Sequence, residues 1–404
     1  MIRFQRNTCR DRVSADAGAG LFDRSTARQV RAFHAGLRGY APTALHYPGQ
    51  FAQQLGLGAV YVKDESSRFG LNAFKGLGST YAMARVIAQR FGLEMADLAG
   101  GRLIDPELRM QLAQLTFVTA TDGNHGRGMA WAAQQSGVKA RVFMPHGSEA
   151  VRVQSIRDLG AECTVTDVSY DETVRIADSF ATQHDAVLMQ DTAWPGYEEV
   201  PGWITQGYMT LVLEVLEALE RDARPWPTHV IVQAGVGSFA AAVVGCLSRH
   251  MAASPPRFLL VEPQQADCFY ASAVAADGQP HASGGLDTMM AGLACAEPST
   301  IAWPVLAAHC EGFFSVADHV AANGMRILAA PAADKDPVIV SGESGAVGVG
   351  LLYSLMTEPG LKALAHELRL DASARVLCFS TEGATAPHVY ERVVWQGWNG
   401  RGSS

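Results

Sequence analysis

Leu115-Thr-Phe-Val-Thr-Ala120, Ala140-Arg-Val-Phe-Met144, Ala161-Glu-Cys-Thr-Val165 and Ala186-Val-Leu-Met-Gln190 are four short apolar runs that alternate with segments of helical spacing. That rhythm predicts β-α-β units, and so a parallel sheet with helices on its faces. A second series follows: His229-Val-Ile-Val-Gln233, Arg257-Phe-Leu-Leu-Val261, Pro337-Val-Ile-Val340 and Arg375-Val-Leu-Cys-Phe379. Two series predict two sheets, and hence an α/β chain of two lobes, each a mostly parallel sheet flanked by helices. Ligands of such folds collect at the loops beyond the carboxyl ends of strands, so the crevice between the lobes is the expected site. The Pro-rich segment Arg224–Thr228 and the Gly-rich segment Ala282–Leu286 read as loops.

Composition narrows the function classes. A chain of 404 residues with 48% apolar content can bury a large core. A net charge of -8 without a run of Lys or Arg gives nucleic acid or an anionic membrane little to hold, which leaves small-molecule chemistry. Arg3, Arg6, Arg10 and Arg12 precede no apolar core, so no secretory signal is expected, and no apolar run reaches membrane-spanning length. Seven cysteines, without a Cys-x-x-Cys pair, argue against a disulfide framework and a structural zinc site. A reducing cytoplasm and no metal are the expectations. Cys268 and Cys295 flank a glycine-rich stretch and read as unpaired buried thiols.

Lys75 follows a short strand and a polar loop, and Leu77, Tyr81, Ala84, Ala88 and Phe91 then recur at helical spacing. A helix from near Asn72 would carry Lys75 in its first turn, where the helix dipole opposes a cation and favours the free amine. Alone, such a residue reads as a solvated surface lysine. Other motifs change that balance. Thr119-Ala-Thr-Asp-Gly-Asn-His-Gly126 joins a strand to a helix, and its N–H groups suit an anion. Asp122 there is either a helix N-cap or an acid-base group. Gln233-Ala-Gly-Val-Gly-Ser-Phe-Ala240 is a phosphate cradle by position and composition. Read as Gly-x-Gly-x-x-Ala with Glu262 closing the next strand, it also matches a dinucleotide fingerprint, so a nicotinamide oxidoreductase competes. Asp191 ends a strand and would offer a substrate cation a negative charge. Ser341-Gly-Glu-Ser-Gly-Ala346 and Ser380-Thr-Glu-Gly383 place hydroxyls at strand ends.

Asn72-Ala-Phe-Lys75, Asp122-Gly-Asn-His125, Gly235 to Ser238, and Ser380-Thr381 together resemble the pyridoxal-phosphate enzymes of the tryptophan synthase β-subunit fold (fold type II). More narrowly, Arg68–Lys75, Ala120–Gly126, Gln190–Trp194, Met290–Cys295 and Ser341–Ala346 resemble the diaminopropionate ammonia-lyases, and the likeness runs from about residue 30 to 395. The resemblance implies pyridoxal 5'-phosphate bonded by Lys75, with Phe74 beside it and Asn124 on its ring hydroxyl. Gly235, Val236, Gly237 and Ser238 would hold its phosphate, and Ser380 or Thr381 its pyridine nitrogen. Lys75, Asp122 and Asp191 would be catalytic; Asn72, Thr121, Asp122, His125 and Asp191 would meet the substrate. Asp122 stands where relatives that dehydrate serine or threonine carry a small hydroxyl residue, and a carboxylate there suits an amino leaving group. The implied reaction is α,β-elimination of D- and L-2,3-diaminopropionate to pyruvate and two ammonia, with a serine/threonine dehydratase as the alternative within the fold. A homodimer is implied, with a large cofactor-binding domain over residues 1–85 and 195–404 and a small domain over 86–194. A non-catalytic ligand-binding protein would use the same crevice with Lys75 unreacted.

Overall fold

The computed structural model describes residues 1–14, 16–99, 106–331 and 334–401. Among the described residues, eleven strands form two sheets. β1 (Ile2–Arg6), β2 (Leu45–His46), β3 (Ala59–Asp64), β8 (His229–Gln233), β9 (Arg257–Pro263), β10 (Cys310–Val316) and β11 (Arg375–Ser380) make one sheet, in the order β1-β10-β9-β8-β11-β3-β2. Its five inner strands are parallel and its two edges antiparallel. β4 (Thr116–Ala120), β5 (Lys139–Met144), β6 (Glu162–Val165) and β7 (Val187–Leu188) form the other, all parallel, in the order β6-β5-β4-β7. The inner strands are buried along almost their whole length, as parallel strands covered on both faces must be.

Two expectations need correction. Pro337–Val340 is not a strand: Ile339 is buried, whereas Val338 and Val340 are 64% and 43% exposed and join no ladder. Its alternation reflects a segment lying across the surface with one anchor. The fourth strand of that series is β10, whose Gly312 breaks the apolar run and admits Phe4 of β1; a Cβ at Gly312 would lie 2.2 Å from that ring. The helix after β3 begins at Gly76, not near Asn72, so Lys75 is its N-cap residue. Asn72 takes a left-handed conformation with φ of 58°.

The loop between β3 and Lys75 is anchored by charges the sequence pattern did not disclose. Glu214 accepts from Lys63 Nζ at 2.6 Å and from Arg68 Nη1 and Nη2 at 2.9 and 2.7 Å, while Glu65 accepts from Arg68 Nε at 2.9 Å. All four side chains are essentially without solvent contact. Two cations and two carboxylates balance, which is the condition for tolerating such burial; removal of one partner costs about 3–5 kcal/mol. Among the described residues, no helix is long and apolar enough to cross a membrane.

Candidate active site

Lys75 enters a cleft between the two sheets because its neighbours leave it no other course. Phe74 packs at 4.8 Å against both Tyr208 and Phe239, and its N–H donates to the Thr381 carbonyl at 3.2 Å. From the other sheet, helix Asn124–Ser136 lies directly on the lysine backbone. Gly128 allows this approach, since a Cβ there would come within 2.9 Å of the Lys75 carbonyl carbon.

The Lys75 ammonium donates to Asp191 Oδ2 at 2.5 Å. Burial alone would lower the lysine pKa, but Asp191 outweighs it and the pKa is raised above its ordinary value. The expected lowering by the helix dipole is therefore overturned by a specific counter-charge. Asp191, 5% exposed, is drawn down to about 2: burial pushes it up, and Lys75 and then His125 pull it down. His125 Nε2 lies 2.7 Å from the Met189 carbonyl, which assigns the proton to that nitrogen. Its Nδ1 is buried without a hydrogen-bond partner, 3.8 Å from Asp191 Oδ2.

The turn after β4 presents Thr121 to His125 to the same cavity. Capping is done by Thr121, whose Oγ1 accepts from the N–H groups of Gly123 and Gly126 at 3.0 and 3.1 Å. The helix N-cap is Gly123, so the N-cap alternative for Asp122 does not hold. Asp122 is half-buried on the cavity wall, and its carbonyl accepts from Arg152 Nη1 at 3.3 Å.

Opposite, β8 ends in the turn Ala234–Gly237, and helix Ser238–His250 starts there with N–H groups that no helix carbonyl can reach. A side chain on Gly235 would press on Cys295 Sγ at 3.1 Å and Gly292 O at 3.2 Å, and Gly237 has φ of 96° with Phe269 behind it. Backbone alone can line this concavity. Ser238 Oγ donates to the Asp191 carbonyl at 2.6 Å, tying the turn to the carboxylate that holds Lys75. At the end of β11, Thr381 lines the cavity and accepts from Gln233 Nε2 at 3.2 Å. Ser380 lies outside the lining and donates to Ser341 Oγ at 2.8 Å. Asn72 is also outside: its carbonyl receives the Gly383 N–H, and it supports the turn after Thr381.

The cleft thus gathers Phe74, Lys75, Thr121, Asp122, Asn124, His125, Asp191, Gly235 to Ser238 and Thr381. Sequence reasoning missed Arg152, Tyr170 and Glu382 on its wall. Glu382 stood inside a quoted motif, but nothing local marked its carboxylate as facing inward. The dinucleotide alternative fails on Glu262, which is fully buried and spends its carboxylate on the Phe269 and Tyr270 N–H groups at 3.0 and 2.8 Å. Cys268 and Cys295 are both free thiols.

An amine, a glycine turn at a helix start and a hydroxyl around one cleft define a site for a phosphorylated aldehyde. A family model described as pyridoxal-phosphate dependent enzyme matches residues 37–377, and the chain belongs to that family. It is 50% identical over 398 residues to the diaminopropionate ammonia-lyase of Salmonella typhimurium, covering 98% of each protein. It is 45% identical over 378 residues to the diaminopropionate ammonia-lyase of Escherichia coli K12, covering 93% of each. The crystal structure of the Escherichia coli diaminopropionate ammonia-lyase with an aminoacrylate–PLP azomethine intermediate superposes with a TM-score of 0.89 at 43% identity, covering 99% of this chain and 98% of that one. The residues present fit the cofactor: a Cβ would fill the concavity at Gly235, which backbone alone lines, and the Lys75 amine faces the same cavity.

Proposed function

We propose that the chain eliminates ammonia from 2,3-diaminopropionate, of either hand, to give pyruvate and a second ammonia. The observation that carries the proposal is that two carboxylates, Asp122 and Asp191, share one cleft with Lys75. Bound pyridoxal phosphate supplies an electron sink for the charge left at the α-carbon. Lys75 would hold it, with Phe74 alongside, Asn124 at the ring hydroxyl, Gly235, Val236, Gly237 and Ser238 at the phosphate and Thr381 at the ring nitrogen.

Displaced from the cofactor by the substrate's α-amine, Lys75 Nζ would be a free amine placed to take the α-proton of one isomer, and the charge of Asp191 would strengthen it as a base. Asp122, on another part of the wall, is positioned as the base for the isomer whose α-proton faces away from Lys75. The substrate's β-ammonium would donate to Asp191, once Lys75 is no longer an ammonium there, and to the unpartnered Nδ1 of His125. Holding that ammonium protonated makes it a leaving group. Serine or threonine, with a neutral hydroxyl, forgoes the charge term. Thr121 shapes the turn that presents Asp122.

The lobes divide in this reading as residues 1–85 with 195–404, and 86–194. The protein would act as a homodimer in the cytoplasm, where its seven free thiols, six of them buried, would stay reduced. The test is twofold. Added pyridoxal phosphate gives the visible absorbance of a lysine-bound cofactor, absent in Lys75→Ala. Diaminopropionate yields pyruvate and ammonia in a one-to-two ratio. Turnover of serine or threonine faster by orders of magnitude would establish the dehydratase reading instead.

A further inference from the structure

Glu382 belongs to none of the roles above, yet it joins both lobes at the cofactor's expected position. Its side chain is 3% exposed on the cavity wall, one residue beyond Thr381. Oε2 accepts from Asn124 Nδ2 at 2.5 Å and from Thr385 Oγ1 at 3.3 Å; Oε1 accepts from the Ser344 N–H at 3.1 Å. Its carbonyl accepts from the Gly342 N–H at 2.9 Å. One carboxylate therefore ties the end of β11 and the turn 341–345 to the helix that follows β4 in the other sheet.

The surroundings are shaped to it. A Cβ on Gly342 would lie 3.0 Å from Glu382 Cγ and Oε1, and one on Gly345 would lie 3.0 Å from the Glu382 carbonyl. Beside it, Arg152 reaches across the same boundary, donating to Glu343 Oε1 at 3.2 Å and to the Asp122 carbonyl. Arg152 at the Asp122 carbonyl and Glu382 at the Asn124 amide hold the two ends of the Asp122–Asn124 turn.

The chemistry of the pair is directional. Glu382 Oε2 accepts from the amide nitrogen, so the Asn124 side chain turns its NH₂ rather than its oxygen toward Glu382. An amide nitrogen carries two hydrogens; with one held, the direction of the other is fixed. We propose that Glu382 is a positioning residue for the cofactor, orienting the Asn124 amide so that its second N–H meets the ring hydroxyl and coupling cofactor binding to the seating of one lobe on the other. This rests on the pyridoxal-phosphate reading.

The experiment is a double-mutant cycle on cofactor affinity. Apoproteins of the wild type, Glu382→Ala, Glu382→Gln, Asn124→Ala and Asn124→Ala/Glu382→Ala are titrated with pyridoxal phosphate and followed by visible absorbance. Circular dichroism and melting of each apoprotein monitor the fold. Leaving the buried Asn124 amide without its partner predicts roughly tenfold to hundredfold weaker binding for Glu382→Ala. Glu382→Gln, which still offers an oxygen, falls between that variant and the wild type. In the Asn124→Ala background the further loss of Glu382 weakens binding by less than about threefold, because the two act as a unit. Equal affinity of Glu382→Ala and wild type, or losses that multiply in full, would overturn the inference. If Glu382→Ala does not fold, the same cycle is run with Glu382→Gln. A wild type that shows no cofactor band defeats the underlying reading, whereas a wild type that binds and an unaffected Glu382→Ala defeat this inference alone.

Discussion

Replacing Asp191 by Asn keeps the shape of the side chain and removes the charge that Lys75 holds at 2.5 Å. The carboxyl is drawn from 3.8 to about 2 although burial pushes it the other way. A shift of nearly two units corresponds to about 2.5 kcal/mol between charged and neutral forms. Because the folded value is depressed, that stabilisation is present above pH 4 and lost as the pH falls toward 2. Lys75 feels the reciprocal effect: with Asp191 gone, burial dominates and its pKa drops below the ordinary 10.5 instead of rising above it. The lysine side chain is 19% exposed, enough for a small reagent. Amine labelling of the apoproteins from neutral to alkaline pH, with the Lys75 peptide quantified by mass spectrometry, reads this directly. Lys75 of Asp191→Asn should react at least about one pH unit below the wild-type lysine. Labelling of the variant at the same pH as the wild type, or higher, would refute the assignment of Asp191 as the dominant influence on Lys75.

Asp122→Asn should lower turnover of D-diaminopropionate by roughly 10²-fold or more, the usual scale for loss of a general base, and that of the L isomer by less than about tenfold; equal losses, measured as pyruvate released, would remove the two-base mechanism. Gly237→Ala must place a Cβ 2.3 Å from the Phe269 ring at φ of 96°. The turn must move, at about 1–3 kcal/mol, so unfolding of the apoprotein should shift to lower urea concentration and cofactor affinity should fall with it.

The two parallel sheets were legible because buried strands leave continuous apolar runs, as in β8 and β9. β10 was not, since Gly312 interrupts it for the sake of Phe4, a contact more than three hundred residues away in sequence. Pro337–Val340 has the composition of a strand but no neighbour to pair with, and pairing is invisible in a single segment. At the site, the glycine turns and Lys75 announced themselves through local pattern. The protonation of Lys75 did not, because the decisive partner comes from a strand end 116 residues further on. Ser380 and Thr381 were indistinguishable as adjacent hydroxyls; the pleat sends one to Ser341 and the other to the cleft.

The strand order has a consequence for how the chain is made. β3 ends at Asp64 and is flanked by two-residue β2 and by β11, which begins only at Arg375. At about 5–20 residues per second, a ribosome takes roughly 15–60 s to span that interval. Throughout it, the segment leading to Lys75 has one long edge with no native neighbour, exposed to chaperones and to self-association. Messages truncated before β11 would yield a polypeptide bearing Lys75 and the glycine turn at Gly235–Gly237, but neither Thr381 nor the strand that joins β3 to β8 in the larger sheet.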